Sequence, residues 1–173
     1  AVPAEAGSVI YFSDDANLRN MMQKRCMEET RLGIPMIFGH DVIHGYRTIA
    51  PVPLAQAASW NPDLVRTISR DAAKEAYYGG LDWTFSPMVD IARDPRWGRV
   101  MEGYGEDPYL TSVFCKAAVE GYQGDDLSAE GSIAACLKHF VGYGASEAGR
   151  DYVYTEISDQ ALWDTYLPSF HAG

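Results

Sequence analysis

Three groups of chemistry-bearing residues each follow an apolar run. The first is Gly39-His40-Asp41-Val42-Ile43-His44-Gly45. An Asp leaving a strand end can accept two hydroxyl hydrogen bonds from one ligand, or it can cap its own loop. His40 and His44 hint at a metal, but no third ligand stands at a convincing spacing, and polar binding or internal packing reads better. The second group opens at Val89-Asp90-Ile91-Ala92-Arg93-Asp94-Pro95-Arg96-Trp97-Gly98-Arg99 and continues to Glu102 and Glu106-Asp107. So many charges exceed what one ligand needs. Most should pair with each other, with a bidentate Arg–carboxylate pair pinning the loop while one guanidinium points into a site. Glu106 and Asp107 suit the start of a helix. The third group is Leu137-Lys138-His139-Phe140-Val141-Gly142-Tyr143-Gly144. Adjacent side chains on a strand point to opposite faces. For Lys138 and His139 to reach one ligand, the backbone over Lys138–Phe140 must leave ordinary strand geometry, for example through a cis non-proline bond.

These groups need a frame to hold them. Apolar runs at Ser8 to Phe12, Ile34 to Gly39, Leu81 to Val89 and Ser132 to Leu137 read as strands. Helical spacing lies between them. Asp14 is positioned to cap a helix carrying Leu18, Met22 and Cys26, closed by Gly33. Asn61-Pro62 opens a helix with Leu64, Ile68, Ala72 and Ala76 on one face, stopped by Gly79-Gly80. Asp107-Pro108 opens another with Leu110, Phe114, Ala117 and Gly121. Ser158 caps a last one with Leu162, Tyr166 and Phe170. The expected fold is α/β, with parallel strands each followed by a helix. The long connections follow the strands, where α/β barrels and open α/β sheets build their sites. Four such units make either an open sheet or the N-terminal half of a (β/α)8 TIM-like barrel, since a complete barrel takes about 250 residues.

Composition limits the function. A net charge of −10 over 173 residues argues against a nucleic-acid partner. No run is long and apolar enough to span a membrane. No Gly-rich phosphate turn follows the first strand, which disfavours a nucleotide or phosphosugar site. Cys26, Cys115 and Cys136 lack paired ligand spacing and read as free thiols. The opening Ala1-Val2-Pro3-Ala4 has neither Met nor a basic start and reads as a processed or trimmed product.

Taken together, Ile34 to Gly45, Asp90 to Arg99, Gly105-Glu106-Asp107-Pro108-Tyr109 and Lys138-His139-Phe140 resemble glycoside hydrolase family 3, nearest to its bacterial β-glucosidases. The resemblance runs over essentially the whole chain. It implies a retaining β-glycosidase built on a (β/α)8 barrel beside an α/β sandwich domain, with residues 1–173 forming part of the barrel. It further implies a sugar held by Asp41, Arg99, Lys138 and His139, with Asp90, Tyr143 and Arg150 as neighbours. Four Trp and eleven Tyr offer faces for a sugar ring. The expected substrate is an oligosaccharide with a terminal non-reducing β-D-glucosyl residue. No metal or organic cofactor is expected, and the bacterial relatives imply a periplasmic or secreted protein.

The chain also departs from that family. Its nucleophile is an Asp in a Ser-Asp-(Trp/His) strand motif. Here Ser158-Asp159-Gln160 opens a helix and Ser13-Asp14-Asp15 follows the first strand. The family's acid/base comes from the second domain. By resemblance neither catalytic carboxyl lies in this chain, and alone it should be inactive. Two alternatives stand beside the β-glucosidase reading: a β-xylosidase of the same family, and a non-catalytic carbohydrate-binding or assembly half-barrel. A half-barrel would pair with its missing half or with itself.

Overall fold

The computed structural model describes residues 2–173. Three parallel strands lie side by side in the order β1 (Ser8–Ile10), β2 (Ile37–His40), β3 (Trp83–Thr84). Val9 stands opposite Phe38, and Gly39 opposite Trp83. The helices between them are α1 (Ala16–Glu28), the short α2 (Pro53–Ala57) and α3 (Pro62–Tyr78), and α4 (Pro108–Gln123) follows β3.

The expected fourth strand at Ile133–Ala135 is present only as a hydrogen-bonded run, not as a regular strand. Thr84 N–H donates to Ala134 O at 2.8 Å, Ala134 N–H to Asp82 O at 2.9 Å and Cys136 N–H to Ser86 O at 2.9 Å. Trp83 and Met88 bridge in parallel to Ala134 and Lys138. The stretch 83–88 is therefore one residue longer than 134–138. The extra residue falls between Thr84 and Met88, the span that holds Ser86-Pro87.

Local chemistry sets the helix ends. Asp15, not Asp14, caps α1, its Oδ1 accepting from the N–H groups of Asn17 and Leu18 at 2.9 and 3.3 Å. Asp14 accepts from the Tyr46 hydroxyl instead. The helix stops well before Gly33, because the Thr30 hydroxyl donates to Cys26 O at 2.6 Å and the Gly33 N–H donates to Thr30 Oγ1. Asn61 and Asp107 cap α3 and α4 through Leu64 N–H and Leu110 N–H, each helix with Pro in its first turn. The buried face of α3 is Val65, Ser69, Ala72, Ala73 and Ala76. Leu64 is exposed, so the face begins one residue later than the pattern of large side chains suggests. The cause is α4. A Cβ at Gly121 would lie 2.5 Å from Arg66 O and 2.6 Å from Ser69 Cβ, so the two helices touch through small residues.

Ser158 caps the last helical stretch through Ala161 N–H. That stretch is broken into α5 (Asp159–Ala161), a wide turn over Leu162–Tyr166 and α6 (Pro168–Ala172). Pro168 cannot continue the hydrogen-bond ladder. Of the expected face, only Tyr166 is buried.

Tyr122 joins this frame to the loops above the sheet. It is buried, accepts from Ser86 Oγ at 3.1 Å and donates to Val42 O at 2.9 Å. Val42 N–H in turn donates to Thr84 Oγ1 at 3.1 Å. The backbone just after Asp41 is thus fixed by α4 and by β3. Replacing Tyr122 by Phe strands a buried carbonyl and should destabilise the protein by about 1–3 kcal/mol in a urea titration. An unchanged midpoint would contradict this tie.

Candidate functional site

Asp41 follows the last residue of β2, and Lys138 ends the fourth parallel run. The Lys138 ammonium donates to both Asp41 oxygens, each at 3.0 Å. The Lys138 side chain is only 10% exposed, whereas that of Asp41 is 50% exposed. The ammonium is held from below and the carboxylate keeps an open side.

The Lys138–His139 peptide is cis, as is Phe140–Val141. The backbone here is unusual, as the adjacent cation and imidazole suggested, and both side chains reach carboxylates. Asp90 Oδ2 accepts from His139 N–H at 2.9 Å and lies 2.8 Å from His139 Nδ1. An oxygen already accepting one N–H from the same residue is an acceptor for the ring as well, so Nδ1 carries the proton and Nε2 remains. Asp90 was expected beside the ligand. Its carboxyl is instead fully covered and cannot touch a ligand without displacement.

Arg99 pairs bidentately with Glu102, with Nε and Nη2 each 2.7 Å from a carboxylate oxygen. The pair does not use Nη1. The guanidinium lies 5.6 Å from the centre of the Tyr143 ring. Arg99 holds the Glu102 carboxyl below the usual range against the opposing effect of burial, and the charge of Lys138 adds to this. The Arg99 pKa is raised by the same bond.

Tyr143 stands edge-on to His139, with ring centres 4.9 Å apart, and to Trp97 at 5.1 Å. Its hydroxyl donates to Asp151 Oδ1, and Trp97 Nε1 donates to the same oxygen at 3.3 Å. Burial, then the Asp151 carboxylate, pushes the Tyr143 hydroxyl up to about 12. Gly144 seats this segment on the second loop, for a Cβ there would lie 2.4 Å from Ile91 O.

Asp41, Lys138, His139, Asp90, Arg99 and Tyr143 thus form one connected group, with Glu102 joining Arg99 to the field of Lys138. Arg150 stands outside it, exposed and paired with no carboxylate among the described residues. Arg96 pairs with Asp94, as charge counting predicted, and holds that carboxyl down at about 2. Trp97 is 1% exposed and cannot stack on a sugar. Asp151 escaped the sequence reading, since nothing in Gly149-Arg150-Asp151 marks it apart from other polar turns. His40 packs edge-on against Phe12 and Tyr46, and His44 Nδ1 lies 3.1 Å from Ala50 O. Among the described residues no three His, Cys, Asp or Glu side chains gather as metal ligands. Cys26 and Cys115 are buried free thiols, and Cys136 is a half-buried one. A groove between loop 45–50 and α3 lies apart from the group. Of the two carboxylates lining it, Glu75 is occupied by Thr48 and by the Arg47 N–H, and Asp71 pairs with Lys74.

Chemically the group is a set of charged donors and acceptors in which Asp41 pairs with Lys138 and Glu102 with Arg99. It offers many hydrogen bonds and no large net charge, which suits an uncharged polyhydroxyl ligand better than an ion.

Comparison with known proteins agrees with this chemistry. Residues 4–173 match the glycosyl hydrolase family 3 N terminal domain. A periplasmic beta-glucosidase of Salmonella typhimurium is 46% identical over 152 residues, covering 88% of this chain and 20% of that protein. A putative beta-xylosidase of Formosa agariphila is 39% identical over 163 residues, covering 91% of this chain and 22% of the relative. The crystal structure of a beta-glucosidase from Listeria innocua superposes with a TM-score of 0.93 at 46% identity, over 98% of this chain and 24% of that one. The same enzyme is also known in complex with glucose. The chain spans about a fifth to a quarter of the length of these relatives. Its parallel βα units correspond to part of the family's barrel domain, and the chain belongs to glycosyl hydrolase family 3.

Proposed function

We propose that this chain forms the sugar-holding part of a retaining β-glucosidase that removes terminal non-reducing β-D-glucosyl residues from oligosaccharides. The observation that carries the reading is the Asp41–Lys138 pair, open on its carboxylate side, next to His139 and Arg99 at the carboxyl ends of parallel strands. Asp41 can take two sugar hydroxyls, and Lys138 and Arg99 donate to ring substituents. The Salmonella and Listeria beta-glucosidases support the choice of glucose. The relative named periplasmic supports action in the periplasm or outside the cell.

Retaining hydrolysis needs a nucleophilic and a protonated carboxyl about 5–5.5 Å apart. The group on this chain supplies neither. Asp41 lies on Lys138, Glu102 on Arg99, and Asp90 is covered by His139. Neighbouring cations favour the charged form of a carboxyl and make it a poor proton donor. The Ser-Asp-(Trp/His) strand motif of the family's nucleophile is also missing, so both catalytic carboxyls are assigned to the remainder of the barrel and an α/β sandwich domain, in a longer protein of which residues 1–173 are one part. That remainder would cover Ile10, Phe12 and Phe140, which are exposed here. The chemistry calls for no metal or organic cofactor. A β-xylosidase is the second reading, favoured by the Formosa relatives. Rates on paired aryl β-glucoside and β-xyloside substrates separate the two.

Three outcomes are expected. In the full-length protein, Asp41→Ala should lower kcat/KM on an aryl β-glucoside by at least about a hundredfold, since it removes the bonds that orient the ring; near-normal kinetics would refute the assignment. The isolated 173-residue chain should show no turnover, and a rate near about 10 s⁻¹ abolished by Asp41→Ala would mean that it holds its own catalytic carboxyls. Glu102 should also show in the acid stability. Its folded pKa lies below the ordinary 4.5, so its contribution is present above that value and lost as pH falls through the folded pKa. Glu102→Gln should lower the melting temperature at pH 7, and the gap should close in acid. A gap constant from neutral pH to well below 4 would contradict the pairing.

A further inference from the structure

Asp90 is the one member of the site that no ligand can reach. Its neighbours Val89 and Ile91 are 0% and 1% exposed, and its own carboxyl is fully covered. The backbone on either side is fixed. Val89 N–H donates to Lys138 O at 2.9 Å, and Ser169 Oγ donates to Val89 O at 2.9 Å. This pairing sets Asp90 opposite His139, where one oxygen, Oδ2, takes both the backbone N–H and Nδ1 of that residue. The other oxygen, Oδ1, is buried with no hydrogen-bond partner among the described residues. A buried carboxylate is costly unless its hydrogen bonds repay the lost hydration. Here the two bonds go to a single neighbour, and that neighbour lies in the sugar-holding group.

Resting on the sugar-holding reading above, we propose that Asp90 is a positioning residue for His139. It fixes both the peptide and the ring, keeps the ring proton on Nδ1, and so presents Nε2 to a sugar hydroxyl. The logic matches that of metal sites, where a carboxylate behind a ligating His fixes its tautomer and orientation. Asp90 then contributes to binding and turnover only through His139. Asp41 contributes directly.

The test is a pair of double-mutant cycles on the full-length protein with an aryl β-glucoside. Asp90→Ala should lower kcat/KM by about ten- to a hundredfold, the range expected when a binding group is misplaced. Adding His139→Ala to Asp90→Ala should cost less than about threefold more, because the two act as one unit. Adding Asp41→Ala should multiply the losses. Asp90→Asn, which retains an acceptor, should recover part of the activity, and it replaces Asp90→Ala if that variant does not fold. Multiplicative losses for Asp90 and His139 would overturn the proposal and make Asp90 an independent contributor. If the unsubstituted protein hydrolyses neither glucoside nor xyloside, the glycosidase reading fails. The positioning role is then decided by neutron diffraction of the deuterated protein. A deuteron on His139 Nδ1 facing Asp90 supports it, and a ring deuterated only at Nε2 overturns it.

Discussion

The site hangs on the bond between Lys138 and Asp41, residues 97 positions apart. The ammonium is nearly buried, and an unpaired ammonium in that place would cost several kcal/mol. Its two bonds to Asp41 offset this cost only if both loops arrive at the right height above the sheet. Parallel pairing provides that height. β2 delivers Asp41 at its carboxyl end, and the run alongside β3 delivers Lys138 at its own. Tyr122 and Thr84 then hold the backbone of Val42, the next residue after Asp41. Moving any of these elements would strand a buried charge, so fold and site are under the same constraint.

A second set of carboxylates stands behind the first. Asp90, Glu102 and Asp151 bind His139, Arg99 and Tyr143 in that order. Each takes a side chain with several rotatable bonds and restricts it to one arrangement. Among these partners the Arg99 guanidinium balances Glu102. Side chains held in one arrangement in this way carry a lower ordering cost for any ligand they bind.

Some of this could be read from the residue order and some could not. The caps at Asn61-Pro62, Asp107-Pro108 and Ser158 depend on a few adjacent residues, and they were legible. The strand runs were legible for the same reason. Asp14 and Asp15 are chemically alike, and Asp14 is taken by Tyr46 and Arg47 while Asp15 caps α1. The face of α3 was misplaced because its contact with α4 is made by Ala, Ser and Gly rather than by the larger Leu64. The broken ladder near Pro87 follows from an extra residue opposite a distant run, which no local pattern records. Within the site, residue type marked Asp41, Arg99, Lys138 and His139. Burial did not follow from type. Asp90 is covered behind His139, and Arg150 is exposed.

The most direct test of this account is a crystal structure of the full-length protein with glucose bound. A pyranose is expected with two hydroxyls on Asp41, further hydroxyls within hydrogen-bond distance of Lys138 Nζ, His139 Nε2 and Arg99, and Asp90 still covered behind His139. A sugar bound elsewhere, or one touching Asp90 while Asp41 stays free, would contradict it.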